Sequence, residues 1–140
     1  MSKDFGVEIR LSAAQAVMVA GDRDELLRVA ENLIENAIKY GARIDSDAAG
    51  VVDVAVSMTE KEGALTVRDY GHGIAPEHLP RLTERFYRVD ATQSRAKNGT
   101  GLGLAIVKHI LTRHRGRLAI ASRLDHGSTF SAFVPLRLRP

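Results

Sequence analysis

The chain has 140 residues, 44% of them hydrophobic and 26% charged, with no Cys and no Trp. This suits one soluble globular domain and excludes a disulfide framework, a thiol nucleophile and cysteine-ligated zinc, while five scattered His show no metal-ligand spacing. The net charge of +3 hides a division: residues 1–80 hold 8 basic and 14 acidic side chains (−6), and residues 81–140 hold 12 and 3 (+9), so a nucleic-acid reading of the basic half must be weighed.

Gly6–Leu11 and Ala16–Ala20 are short β-prone runs, read as two strands of one sheet. Asp22 is placed as the N-cap of a helix that runs to Tyr40 and stops at Gly41, with Asp24 and Glu25 in its first turn where the helix dipole favours negative charge. Leu26, Leu27, Ala30, Leu33, Ile34, Ala37 and Ile38 recur at spacings of three and four and form its apolar stripe. Residues 42–50 read as a loop. Val51–Ser57 and Ala64–Asp69 read as strands around a Glu60–Gly63 turn. Pro76–Leu82 suits a short helix, since proline is tolerated in a first turn. Residues 84–98 form a basic stretch without periodicity, expected to be a long functional loop. A second helix is expected from Ala105 to His114, closed by Gly116, followed by strands Arg117–Ser122 and Ser128–Leu136 around an Asp125–Gly127 turn. No apolar run approaches the ~18 residues of a membrane-spanning helix, and Met1–Phe5 lacks the core of a signal peptide, so a cytoplasmic domain is expected.

Four groups of residues could carry chemistry. Asn32, Asn36 and Lys39 fall within roughly 60° of arc on the first helix, opposite the expected stripe. They read either as a polar outer face or as a magnesium and phosphate face, because an amide oxygen is a hard ligand and lysine a phosphate partner. Asp69-Tyr70-Gly71-His72-Gly73-Ile74 follows a strand and offers a fixed carboxylate beside two glycines that permit a sharp turn. It is not a dinucleotide-binding fingerprint, because Pro76 stands where the third glycine would fall. Gly99, Gly101 and Gly103 open the second helix, where exposed N–H groups and the helix dipole suit an anion. No GxxxxGK[ST] occurs, so this is not a P-loop. Arg85, Arg88, Arg95 and Lys97 lie just ahead, within reach of the same anion.

In this order the groups resemble the nucleotide-binding catalytic domain of sensor histidine kinases, in the gyrase, Hsp90, histidine kinase and MutL superfamily. Glu31–Tyr40 is similar to the N box, Asp69–Ile74 to the G1 box, Glu84–Asp90 to the F box, Gly99–Leu104 to the G2 box, and Gly127–Phe130 to the closing segment. The resemblance spans residues 6–136, and the boxes are most similar to those of phosphate-regulon sensors. It implies an α+β fold, a two-layer α/β sandwich of the Bergerat type with a mixed sheet of about five strands under three helices.

The resemblance implies ATP and magnesium as cofactors. Asn36 would coordinate magnesium with Asn32 in support, Lys39 would contact a phosphate, and Tyr40 would lie near the adenine. Asp69 would accept the adenine N6 amine, with Gly71 and Gly73 lining the base pocket and Thr129 on its far side. Arg88, Arg95 and Lys97 would reach the γ-phosphate from a lid, and Gly99, Gly101 and Gly103 would present backbone N–H groups to the phosphates. Ile74, Tyr87, Thr100, Leu102 and Leu104 complete the implied binding set; Asn32, Asn36, Arg88 and Arg95 form the catalytic one.

Hydrolysing members of the superfamily carry a glutamate base four residues before the magnesium asparagine. Here that position is Asn32, and an amide cannot accept a proton from water, which favours phosphoryl transfer. Tyr70, His72 and Gln93 depart from common family residues. None of the five His precedes the acidic residue of a phosphoacceptor box. The implied partner is therefore a His-bearing dimerisation domain elsewhere in the kinase, with a response regulator reached indirectly and a membrane only through other parts. A non-transferring ATP-binding regulatory module is the alternative, and nucleic acid is not expected as a partner.

Overall fold

A computed structural model of the chain describes residues 7–13, 17, 19, 21–41, 50–84 and 103–136. Five strands form one mixed sheet: β1 (Val7–Ala13), β2 (Gly50–Met58), β3 (Glu62–Asp69), β4 (Arg117–Arg123) and β5 (Gly127–Pro135), in the order β1-β2-β3-β5-β4. β1 runs parallel to β2, and the other three pairings are antiparallel. Helices α1 (Arg23–Gly41) and α2 (Gly103–Arg113) pack on one face and on each other, and a 3-10 helix spans Pro76–Arg81. This is the two-layer sandwich expected. The Ala16–Ala20 run differs: within its described residues, Val19 makes an isolated bridge to Leu136.

Strand alternation explains the layering. Val52, Val54, Val67, Phe130, Ala132 and Val134 face the helices and are buried, against Val29, Leu33, Ala37 and Ile38 of α1 and Val107, Ile110 and Leu111 of α2. Leu27, expected in the stripe, is 52% exposed, while Val29 is buried. The true stripe is thus rotated toward Val29, which lies only about 20° around the helix from Asn36. The asparagine face therefore borders the buried side instead of opposing it.

The helix ends follow local chemistry. Asp22 Oδ1 accepts the Glu25 N–H at 3.0 Å, the expected N-cap. His114, just past α2, holds this start: its Nε2 accepts the Asp22 N–H at 2.9 Å, and its Nδ1 lies 2.8 Å from Ile110 O. Nε2 as acceptor fixes the proton on Nδ1. Arg115 past α2 is left-handed at φ 60°, and the Gly116 N–H donates to Leu111 O at 2.7 Å, closing the helix at Gly116 as expected. α2 begins two residues before Ala105. The β2–β3 turn is tighter than Glu60–Gly63, because Thr59 Oγ1 accepts the Glu62 N–H and brings Glu62 into β3.

Candidate functional site

β3 is the middle strand, and its last residue, Asp69, is 5% exposed. Its register partners are Val52 on β2 and Ser128 on β5. Oδ1 accepts the Gly71 N–H at 3.0 Å. Burial raises the carboxyl above the usual aspartate range, while hydrogen bonds from the Gly71 and Ser128 backbones pull it back. A chain carrying a buried carboxylate at a strand end needs donors there, and the turn after β3 supplies them.

That turn is seated on the β4–β5 turn. The Asp125 N–H donates to His72 O at 2.7 Å, and the Ile74 N–H donates to Ser122 Oγ at 2.7 Å. Gly73 adopts φ 76°, and a Cβ there would lie 2.1 Å from Arg123 O. Gly127 adopts φ 103°, and a Cβ there would lie 2.1 Å from Asp69 O. Both positions therefore require glycine for backbone packing around Asp69. Gly71 is buried, and Ile74 and Leu104 pack against the core.

Thr129, expected beside the base pocket, is displaced by strand alternation. It pairs with Arg68, on the sheet face opposite Asp69. The residue beside Asp69 is Ser128, buried at 5% exposure and 2.8 Å from Ser122 Oγ. The sequence held this signal: period-two alternation from the buried Phe130 reaches Ser128, not Thr129. Tyr70 also lies on the opposite face, where its hydroxyl donates to Asp53 and the Arg68 guanidinium stacks 4.8 Å from its ring centre. The Tyr70 departure thus leaves the Asp69 side of the sheet unaltered.

α1 brings Asn32 and Asn36, both half-buried, to its edge beside α2. Asn32 Oδ1 lies 3.9 Å from where a Cβ on Gly103 would stand, so the amide faces the first residue of α2. The structure thereby joins two sequence-distant groups, the asparagine pair and the end of the glycine motif. Lys39 and Tyr40 fall in the last turn of α1. Tyr87, Arg88, Arg95, Lys97, Gly99, Thr100, Gly101 and Leu102 lie outside the described residues, as does Gln93. Among the described residues no three His, Cys, Asp or Glu side chains gather to hold a metal. An amide oxygen of Asn36 fits magnesium only where phosphate oxygens and water supply the remaining ligands.

Residues 21–138 match the histidine kinase-, DNA gyrase B- and HSP90-like ATPase family. The chain is 47% identical over 131 residues to the phosphate regulon sensor protein PhoR of Pseudomonas aeruginosa, covering 93% of this chain and 28% of PhoR. It spans about a quarter of the length of the curated relatives it matches. Among solved structures, the mycobacterial sensor histidine kinase MprB is 28% identical with a TM-score of 0.77, over 96% of this chain and 85% of that one. Full-length ShkA in complex with AMPPNP is 26% identical with a TM-score of 0.79, over 99% of this chain and 27% of that one. The match over residues 21–138 shows that the chain belongs to the histidine kinase-, DNA gyrase B- and HSP90-like ATPase family, and the relatives and structural neighbours it is similar to are sensor histidine kinases.

Proposed function

We propose that the chain binds magnesium-ATP and delivers its γ-phosphoryl group to a histidine on a dimerisation domain of the same kinase, from which a response regulator is served. The supporting observation is Asp69, a buried carboxylate held by the Gly71 N–H at the end of the middle strand. A fixed acceptor there suits the adenine N6 amine and opposes the carbonyl that guanine would bring.

In this reading, Asn36 offers its amide oxygen to magnesium and Asn32 supports it beside the start of α2. Magnesium would offset the phosphate charge when bound. Lys39, Arg88, Arg95 and Lys97 add positive charge along the triphosphate, and Gly99, Gly101 and Gly103 offer N–H groups. Asn32, lacking a basic lone pair, does not activate water, so the phosphoryl group is kept for the histidine. The chain acts as a single catalytic unit on the cytoplasmic side, with any membrane anchor elsewhere in the kinase. Among the described residues no helix is long and apolar enough to cross a membrane.

Incubating the chain with a His-bearing dimerisation domain and γ-labelled ATP should place acid-labile label on histidine. ATP binding without any transfer would overturn the kinase reading and favour a regulatory module.

A further inference from the structure

Ser122 lies in none of the nucleotide motifs, yet its hydroxyl touches three residues, one in the turn after β3 and two in β5. Its Oγ accepts the Ile74 N–H at 2.7 Å, donates to Gly127 O at 3.0 Å, and lies 2.8 Å from Ser128 Oγ. Ser122 pairs with Ser128, and Ser128 with Asp69, so the three side chains form one row across β4, β5 and β3 on the helix-bearing face.

A serine hydroxyl has one proton and two lone pairs. Gly127 O can only accept, so the Ser122 proton is assigned to it, and the contact with Ser128 is then made by the proton of Ser128. With that proton turned toward Ser122, the remaining lone pairs of Ser128 Oγ are its only means of bonding, and it stands beside Asp69 as an acceptor. Gly127 O and the Ile74 N–H are main-chain groups and cannot rotate away, so they hold the Ser122 hydroxyl in place.

We infer that Ser122 is a positioning residue for base selection: it orients the Ser128 hydroxyl so that the pocket presents acceptors to the base, which suits the adenine amine and penalises the guanine carbonyl. The inference rests on the reading of Asp69 as the base acceptor. Two neighbouring acceptors discriminate against a carbonyl more strongly than one, because guanine would leave both unpaired. A hydroxyl free to turn could donate to the guanine O6 and relax the choice.

The test is the ratio of ATP to GTP affinity, measured by calorimetry on the folded chain. Wild type should favour ATP, and Asp69→Asn should lose most of that preference, leaving only the share that Ser128 supplies. If either fails, the reading of Asp69 is wrong, independently of Ser122. With both in place, Ser122→Ala should lower the ratio about tenfold, with GTP gaining relative to ATP, and Ser122→Thr should restore it. A scaffold role alone would weaken both nucleotides equally and leave the ratio unchanged, which would overturn the inference. Ser128→Ala keeps the Ile74 and Gly127 bonds and decides the matter if Ser122→Ala does not fold. It should also lower the ratio, and the double variant should lower it no further than Ser128→Ala alone. An unchanged ratio in Ser128→Ala, or additive losses in the double variant, would equally refute the role of Ser122.

Discussion

Asp69 bears opposite demands from folding and from binding. Its carboxyl is raised by burial, so the ionised form that receives a base amine is the form the fold disfavours. With the folded value above the unfolded one, this group adds stability as pH falls through that window and withdraws it as pH rises. ATP affinity should run the other way, declining on acidification from a pH above the ordinary aspartate range; nucleotide titrations across pH 4–8, set against thermal melts, check the sign, with that range chosen around the reference carboxylate value of about 4. Asp69→Asn should lose at least about a hundredfold in ATP affinity while melting no lower than wild type at neutral pH, because the buried charge is gone. Asn36→Ala should bind ATP with an affinity that no longer responds to magnesium, and an unchanged response would place the metal elsewhere.

Between elements, the strand-end turn and the β4–β5 turn behave as one unit. Gly73→Ala should cost about 2 kcal/mol or more in chemical denaturation, since it combines a positive φ with a backbone clash at Arg123. It should weaken ATP binding as well, because Gly71 in the same turn donates to Asp69. Most elements were legible in the sequence because amphipathic spacing and caps are local signals: Asp22 capping α1 is one case. The phase of the α1 stripe was not, because Leu27 and Val29 are equally apolar and only the position of the sheet beneath decides which is buried. Thr129 failed for a related reason. A motif match aligns residue types, whereas a strand's facing is set by register with its neighbours, and Asp69↔Ser128 is known only once β3 and β5 are paired. Likewise, the sequence marked Gly103 as part of an anion site but could not show that Asn32 would face it.

Across the whole molecule, the core and the site share one layer. Phe130 is 1% exposed and sits between Val67 and Ile120 in the sheet, two residues from Ser128. Phe130→Ala should cost about 3–5 kcal/mol, seen as a lowered denaturation midpoint, and this is a large part of the stability of a domain this size. The charge division between the two halves of the chain also takes a spatial form. The strands of the acidic half, β1 to β3, lie side by side, and those of the basic half, β5 and β4, continue the sheet beyond them. On the helix layer the same boundary is crossed by the 2.6 Å pair of Glu25 and Arg113.

That strand order makes the border between β3 and β5 a natural line of division. A chain severed between Glu84 and Gly103 would yield two pieces of opposite net charge, one ending its sheet at Asp69 and the other beginning the facing strand at Gly127 and Ser128. Neither piece alone would hold both sides of the base-binding row. Mixed together, they would be drawn by charge and by the exposed strand edges to reassemble, and recovered nucleotide binding would then report fragment complementation.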